Sequence, residues 1–119
     1  FALEANPTQY GANTAINARG ATRIVRLVDR DNVSFHADSG CLRLAGDDPV
    51  AALRDNSDII KRCHVSMPDL KVYNGSEPDF IRLALSLGIG ISYEARPGDG
   101  AEAAAALFFS DAERAITQD

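Results

Sequence analysis

Asn32-Val33-Ser34-Phe35-His36-Ala37-Asp38-Ser39-Gly40 reads as a short β-strand over residues 33–38 that ends on an aspartate and gives way to a loop through Gly40. Side chains alternate across a strand, so His36 and Asp38 share one face. Three more side chains stand at or near the end of short apolar stretches: Glu4, His64 and Glu94. With Asp38 they are spaced by 34, 26 and 30 residues, each about the length of one strand-plus-helix unit. In a parallel α/β sheet the carboxyl ends of the strands lie on one side, so residues distant in sequence converge there without a local motif. The spacing therefore predicts four βα units aiming one ligand each at a shared point. Three carboxylates and an imidazole make an oxygen-rich set, suited to Mn²⁺, Mg²⁺ or Co²⁺ better than to a sulfur-bound structural zinc.

The remaining sequence gives the matching alternation. Strands are expected over residues 1–4, 33–38, 62–66 and 89–94. A helix over 13–28 places Ala21, Ile24, Val25 and Val28 on one face, with Arg19, Arg23, Arg26 and Arg30 mostly opposite. Asp47-Asp48-Pro49 starts a short helix that runs to Asp55 or, with a break at Asn56-Ser57, to Lys61. Further helices are expected from Glu77-Pro78 to Leu87, stopped by Gly88, and over 101–116. Right-handed βαβ connections turn four such units into a parallel layer with helices on one side, which is half of an eight-stranded barrel. A complete (β/α)8 barrel needs about 250 residues, and the chain has 119. Residues 1–119 are thus read as one unit, half of such a barrel, which the resemblance given below identifies as strands five to eight of a TIM barrel. Phe1 already lies in an apolar stretch, so the first half is expected upstream. Val33, Phe35, Ile89 and Ile91 belong to strands that a barrel buries on both faces, so the first half or a second copy is expected to cover the sheet.

Composition narrows the partners. At 45% hydrophobic and 24% charged the chain is an ordinary globular domain, and its net charge of −5 offers no general attraction to nucleic acid. Its apolar runs fall short of the roughly 18–20 residues of a membrane span. Cys41 and Cys63 form no C-x-x-C pair and no charged-then-apolar leader is present, so a reduced, cytoplasmic protein is expected.

Four segments in order carry a resemblance: Leu3-Glu4-Ala5-Asn6-Pro7 with Tyr10-Gly11, the stretch from Asn32 to Gly40, His64-Val65-Ser66-Met67-Pro68, and Ser92-Tyr93-Glu94-Ala95-Arg96-Pro97. Together they resemble the second half of the xylose-isomerase-like sugar isomerases and epimerases. The resemblance implies a metal-binding TIM barrel in which Glu4, Asp38, His64 and Glu94 hold the ion. It also implies proton transfer on a sugar or sugar acid through an enediolate, with Glu4 and Glu94 as the catalytic carboxylates. Mn²⁺ is the expected ion, with Mg²⁺, Co²⁺ and Zn²⁺ as alternatives. His36, Asn6, Lys71 and Arg96 are candidates to bind substrate. A keto-inositol dehydratase of the same barrel family, or a non-catalytic metal-binding half-barrel, would use the same ligands. Two positions depart from the family pattern. Cys41 stands where a substrate-holding histidine commonly follows the metal-binding aspartate, and Met67 stands where an acid commonly follows the histidine.

Overall fold

The computed structural model describes residues 1–118. Four parallel strands, β1 (Ala2–Glu4), β2 (Ser34–Asp38), β3 (Ile60–Val65) and β4 (Gly90–Tyr93), lie in sequential order in one sheet. Between and after them run α1 (Ala18–Val28), α2 (Ser39–Leu44), α3 (Pro49–Asp55), α4 (Pro78–Ser86) and α5 (Ala101–Thr117). The arrangement is a parallel sheet flanked by helices in βα repeats, and it is compatible with half of a (β/α)8 barrel. Its principal extents of 40 × 35 × 22 Å fit two layers, a sheet and one sheath of helices.

Alternation along the strands sorts the residues onto two unlike faces. Leu3, Phe35, Ala37, Cys63, Val65, Ile91 and Tyr93 point to the helices and join one core with Val25, Leu53, Phe80, Ile81 and Phe108. Phe35, Phe80 and Ile81 are fully buried, and each such side chain contributes about 1.5–3 kcal/mol of burial. The other face carries Ala2, Glu4, His36, Asp38, Arg62, His64, Gly90 and Ser92. This corrects the expectation for Val33, Phe35, Ile89 and Ile91. Phe35 and Ile89 are already buried and the other two are half-buried against the same core, so the open face of the sheet is polar rather than apolar.

Local chemistry explains the element ends. The first helix starts at Ala18, five residues later than the periodicity suggests. Ala15 takes a left-handed φ of 53°, its carbonyl accepts the Asn6 N–H at 3.2 Å, and Asn17 Oδ1 then caps the Gly20 N–H at 2.8 Å. Val28 ends the apolar face exposed. The third helix stops at Asp55, with a 3₁₀ turn over Ser57–Ile59 leading into β3. Asp48 caps its Val50 and Ala51 N–H groups, and Pro49 occupies the first turn, as the sequence indicates.

The expected loop after β2 is instead the short helix α2, and the reason is Asp38. Its side chain accepts the Cys41 N–H at 2.8 Å and so starts a helix directly from the strand. Helix α2 is also held from its far side, where Arg43 makes a two-point ion pair with the buried carboxylate of Glu77, Nη2 lying 2.9 Å from Oε2. Among the described residues no helix is long and apolar enough to cross a membrane.

The approach of α2 to the end of β3 depends on Gly40. A Cβ there would lie 2.4 Å from Ser66 Oγ and 2.7 Å from the Met67 carbonyl group. Gly40→Ala is expected to lower stability in urea unfolding by about 1–3 kcal/mol. Gly20→Ala meets nothing nearer than 3.4 Å and is expected to be neutral or to gain up to about 1 kcal/mol. Equal effects at the two positions would refute the close approach.

Candidate metal centre

The carboxyl ends of the four strands bring Glu4, Asp38, His64 and Glu94 to one edge of the open face. Asp38, His64 and Glu94 offer ligand atoms that all lie within 4.8 Å of one another, as do Glu4, His36 and His64, and Glu4, Asp38 and Cys41. The clusters share members but do not merge, so Glu4 stands beside the Asp38–His64–Glu94 triad rather than inside it. Pairwise spacings of this size suit atoms coordinated at about 2.0–2.6 Å. His/Asp/Glu/Cys clusters of this kind could coordinate a divalent ion.

The hydrogen bonding of Asp38 shows which of its oxygens is free. Its Oδ1 accepts both the Cys41 N–H at 2.8 Å and the Ser66 hydroxyl at 2.6 Å. Ser66 is held in turn. Its Oγ accepts the Gly40 N–H at 3.1 Å, its N–H donates to Ser39 Oγ at 3.0 Å, and its carbonyl accepts the Ser39 hydroxyl at 2.8 Å. Asp38 Oδ2 is left buried without a partner, 3.7 Å from His64 Nδ1. That nitrogen is 3.0 Å from Glu94 Oε2, yet it is also without a hydrogen bond. The distance alone reads as an ion pair, but the direction of approach does not suit an N–H donor. Unpaired buried polar atoms are costly, and two of them 3.7 Å apart would suit a shared cation as ligands.

Electrostatics agrees with that reading. Burial, and then the neighbouring Asp38 carboxylate, push the Glu4 carboxyl above its usual range. Burial and the adjacent His64 ring, edge-on at 4.3 Å, hold His36 below the usual imidazole value. A divalent cation would relieve the repulsion between the carboxylates and find a neutral imidazole nitrogen in His36. The Nε2 of His36 is likewise buried and unpartnered.

The other candidates lie around the rim. Asn6 is half-buried, with Oδ1 3.8 Å from Cys41 Sγ. Lys71 and Arg96 are exposed in the loops after β3 and β4, which are joined by the Arg96 N–H donating to the Leu70 carbonyl at 3.1 Å. Among the described residues neither basic side chain is ion-paired to Glu4, Asp38 or Glu94. Asp69 and Leu70 carry left-handed φ values of 61° and 54°, so this loop holds local strain beside the cluster. A cavity of about 350 Å³ reaches His36 from the amino-terminal side, lined also by Phe1, Ala2, Ser34 and Arg62. A more deeply formed cavity of about 540 Å³, around Val25, Arg30, Asp31 and Lys61, lies at the amino ends of the strands, away from the clustered ligands.

Ser39 and Ser66 were not visible as site residues in the sequence, where neither falls in a nucleophile motif. The available signal was Asp38-Ser39-Gly40-Cys41, an aspartate three residues before an N–H that it can cap. No protein family, curated protein or solved structure matches the chain.

If the unpaired atoms await a cation, adding Mn²⁺ at about 100 times its Kd should raise stability by about 2.7 kcal/mol. Asp38→Asn keeps an oxygen for the Cys41 and Ser66 bonds while removing the anionic partner, so it should fold and lose most of that gain. Thermal melts with and without the ion check this, and an undiminished shift in the variant would exclude Asp38 as a ligand.

Proposed function

We propose that this chain is the carboxyl-terminal half of a (β/α)8 barrel that isomerises or epimerises a sugar or sugar acid with a divalent metal, Mn²⁺ foremost. The observation that carries the reading is the meeting of Asp38, His64 and Glu94 at the carboxyl ends of adjacent strands, with Asp38 Oδ2 and His64 Nδ1 buried and unpaired. These donors fit such an ion, with Glu4 beside them. When bound, it would polarise the substrate carbonyl and acidify the adjacent C–H.

The residues of this chain then divide the work. Glu4 ends β1 and Glu94 follows β4, the two outer strands of the sheet, and they would flank the reacting carbon of a bound substrate from opposite sides. One removes the proton and the other returns it, by way of an enediolate of the substrate. General acid–base help of this kind is worth about 10²- to 10⁴-fold. Glu94, with its side chain 45% exposed, is open to substrate, while burial and the neighbouring Asp38 raise the pKa of the Glu4 carboxyl. His36 and Asn6 meet hydroxyl groups, and Lys71 and Arg96 meet an acidic group at the rim. The sheet's open face is covered by the first half of the barrel or by a second copy.

Glu94→Gln in the closed barrel should leave the fold intact and remove most turnover. Sugar incubated with the active protein and Mn²⁺ in deuterated water should gain deuterium at the carbon beside the carbonyl. Loss of water from a keto-inositol without such exchange would favour the dehydratase reading. Metal binding with no exchange on any aldose, ketose or sugar acid would favour a non-catalytic module.

A further inference from the structure

Cys41 occupies a place that the proposed chemistry does not use. It is buried at 4% exposure, with Sγ 3.5 Å from Glu4 Oε1, and with Glu4 and Asp38 it forms a cluster of ligand atoms within 4.8 Å. A zinc-class ion binds thiolate sulfur at about 2.3 Å and carboxylate oxygen at about 2.0 Å, which at the tetrahedral angle sets the two ligand atoms about 3.5 Å apart. The observed sulfur–oxygen separation, that of the thiol's hydrogen bond to Glu4, is also compatible with the bite of a tetrahedral site. A second observation comes from Asp38, the member that this cluster shares with the His64–Glu94 triad. Asp38 is 1% exposed and its Oδ2 is unpartnered, while Oδ1 is fixed by Ser66 and the Cys41 N–H.

We propose that Cys41 Sγ, Glu4 and Asp38 form a sulfur-containing site for a zinc-class divalent cation. The inference rests on the reading that the strand-end carboxylates hold a cation, and it assigns the chemical class of that cation on the Glu4 side of Asp38. A thiolate ligand selects Zn²⁺ or Co²⁺ over Mg²⁺ and Mn²⁺, which the oxygen-rich Asp38–His64–Glu94 triad accepts more readily. Binding forms a metal–sulfur bond, and the thiol proton leaves to solvent with no change of oxidation state. An anionic sulfur next to two carboxylates is stable only with the cation among them.

The purified full chain is titrated with Co²⁺ alone while the near-ultraviolet and visible spectra are recorded, and Mn²⁺ and Zn²⁺ binding are followed by calorimetry. A sulfur-to-cobalt charge-transfer band is expected in the wild-type chain and in Cys63→Ala, whose sulfur faces the helix-packed core. Cys41→Ser should lose the band and weaken Co²⁺ and Zn²⁺ by at least about tenfold, with Mn²⁺ affinity changed far less. X-ray absorption at the zinc edge of the wild-type chain needs no variant, and it should show one sulfur at about 2.3 Å. Co²⁺ binding with d–d bands but no charge-transfer band, or a zinc shell of only oxygen and nitrogen, would overturn the sulfur site and leave the metal reading standing. Absence of binding by all three ions would remove the metal reading and this inference with it.

Discussion

Everything at the carboxyl edge of the sheet hangs on one oxygen, Oδ1 of Asp38. It accepts the N–H that starts α2 and the hydroxyl of Ser66 at the end of β3, so a single carboxylate joins a strand end, a helix start and the neighbouring strand. A charged acceptor with two good donors is strongly held and well oriented. The consequence for function is directional. With Oδ1 engaged, Oδ2 is left buried without a partner, 3.7 Å from His64 Nδ1. Pre-set donors of this kind are what a metal site requires of its surroundings. The tight seat of Gly40 against Ser66 and Met67 serves the same end, since it lets α2 begin immediately above the strand that supplies the aspartate.

Much of this was legible in the sequence, because its signals were of the right length. Three- to six-residue apolar segments ending in Glu4, Asp38, His64 and Glu94 mark strands, and the intervals between them leave room for one crossover each. Capping chemistry at Asp48-Pro49 and the stop at Gly88 could be read directly. What escaped were features set by side chains far apart in sequence. Helix α2 has no apolar period to show itself and exists because Asp38 caps it. The late start of α1 follows from the turn at Ala15, which depends on the Asn6 N–H reaching back to it. The Ser39–Ser66 pair spans two strands, and no spacing rule reports a hydroxyl bound across a sheet. The assignment of strand faces failed for a related reason. Alternation says that two faces differ, but the sequence alone did not say that the helices take the apolar one.

The polar face changes what any cover over the sheet would meet. A bare apolar face would demand cover through the hydrophobic effect alone, and this face is polar, so the demand comes from elsewhere. Both edge strands leave backbone groups unpaired, and large apolar side chains stand exposed, among them Phe1 before β1, Leu27 on α1 and Phe109 on α5. The helices at the two edges also differ in charge: Arg19 and Arg23 on α1, Glu102 and Glu113 on α5, with Arg26 and Asp111 already paired to Asp58 and Arg114. Whatever completes the layer would find apolar contact and complementary charge at its seams.

The open face itself argues about the identity of that cover. Arg62 stands on it, two residues before His64, and among the described residues it has no carboxylate within ion-pair distance. Water can solvate a guanidinium on an open sheet, but enclosing it without a counter-charge would be strongly unfavourable. A second copy of this chain would bring a second Arg62 into the same interior layer and would double the carboxylates at the mouth. An unlike half-barrel with an acidic side chain opposite Arg62 would instead neutralise it. On the proposed half-barrel reading, electrostatics inside a closed barrel would therefore favour an unlike half over self-association.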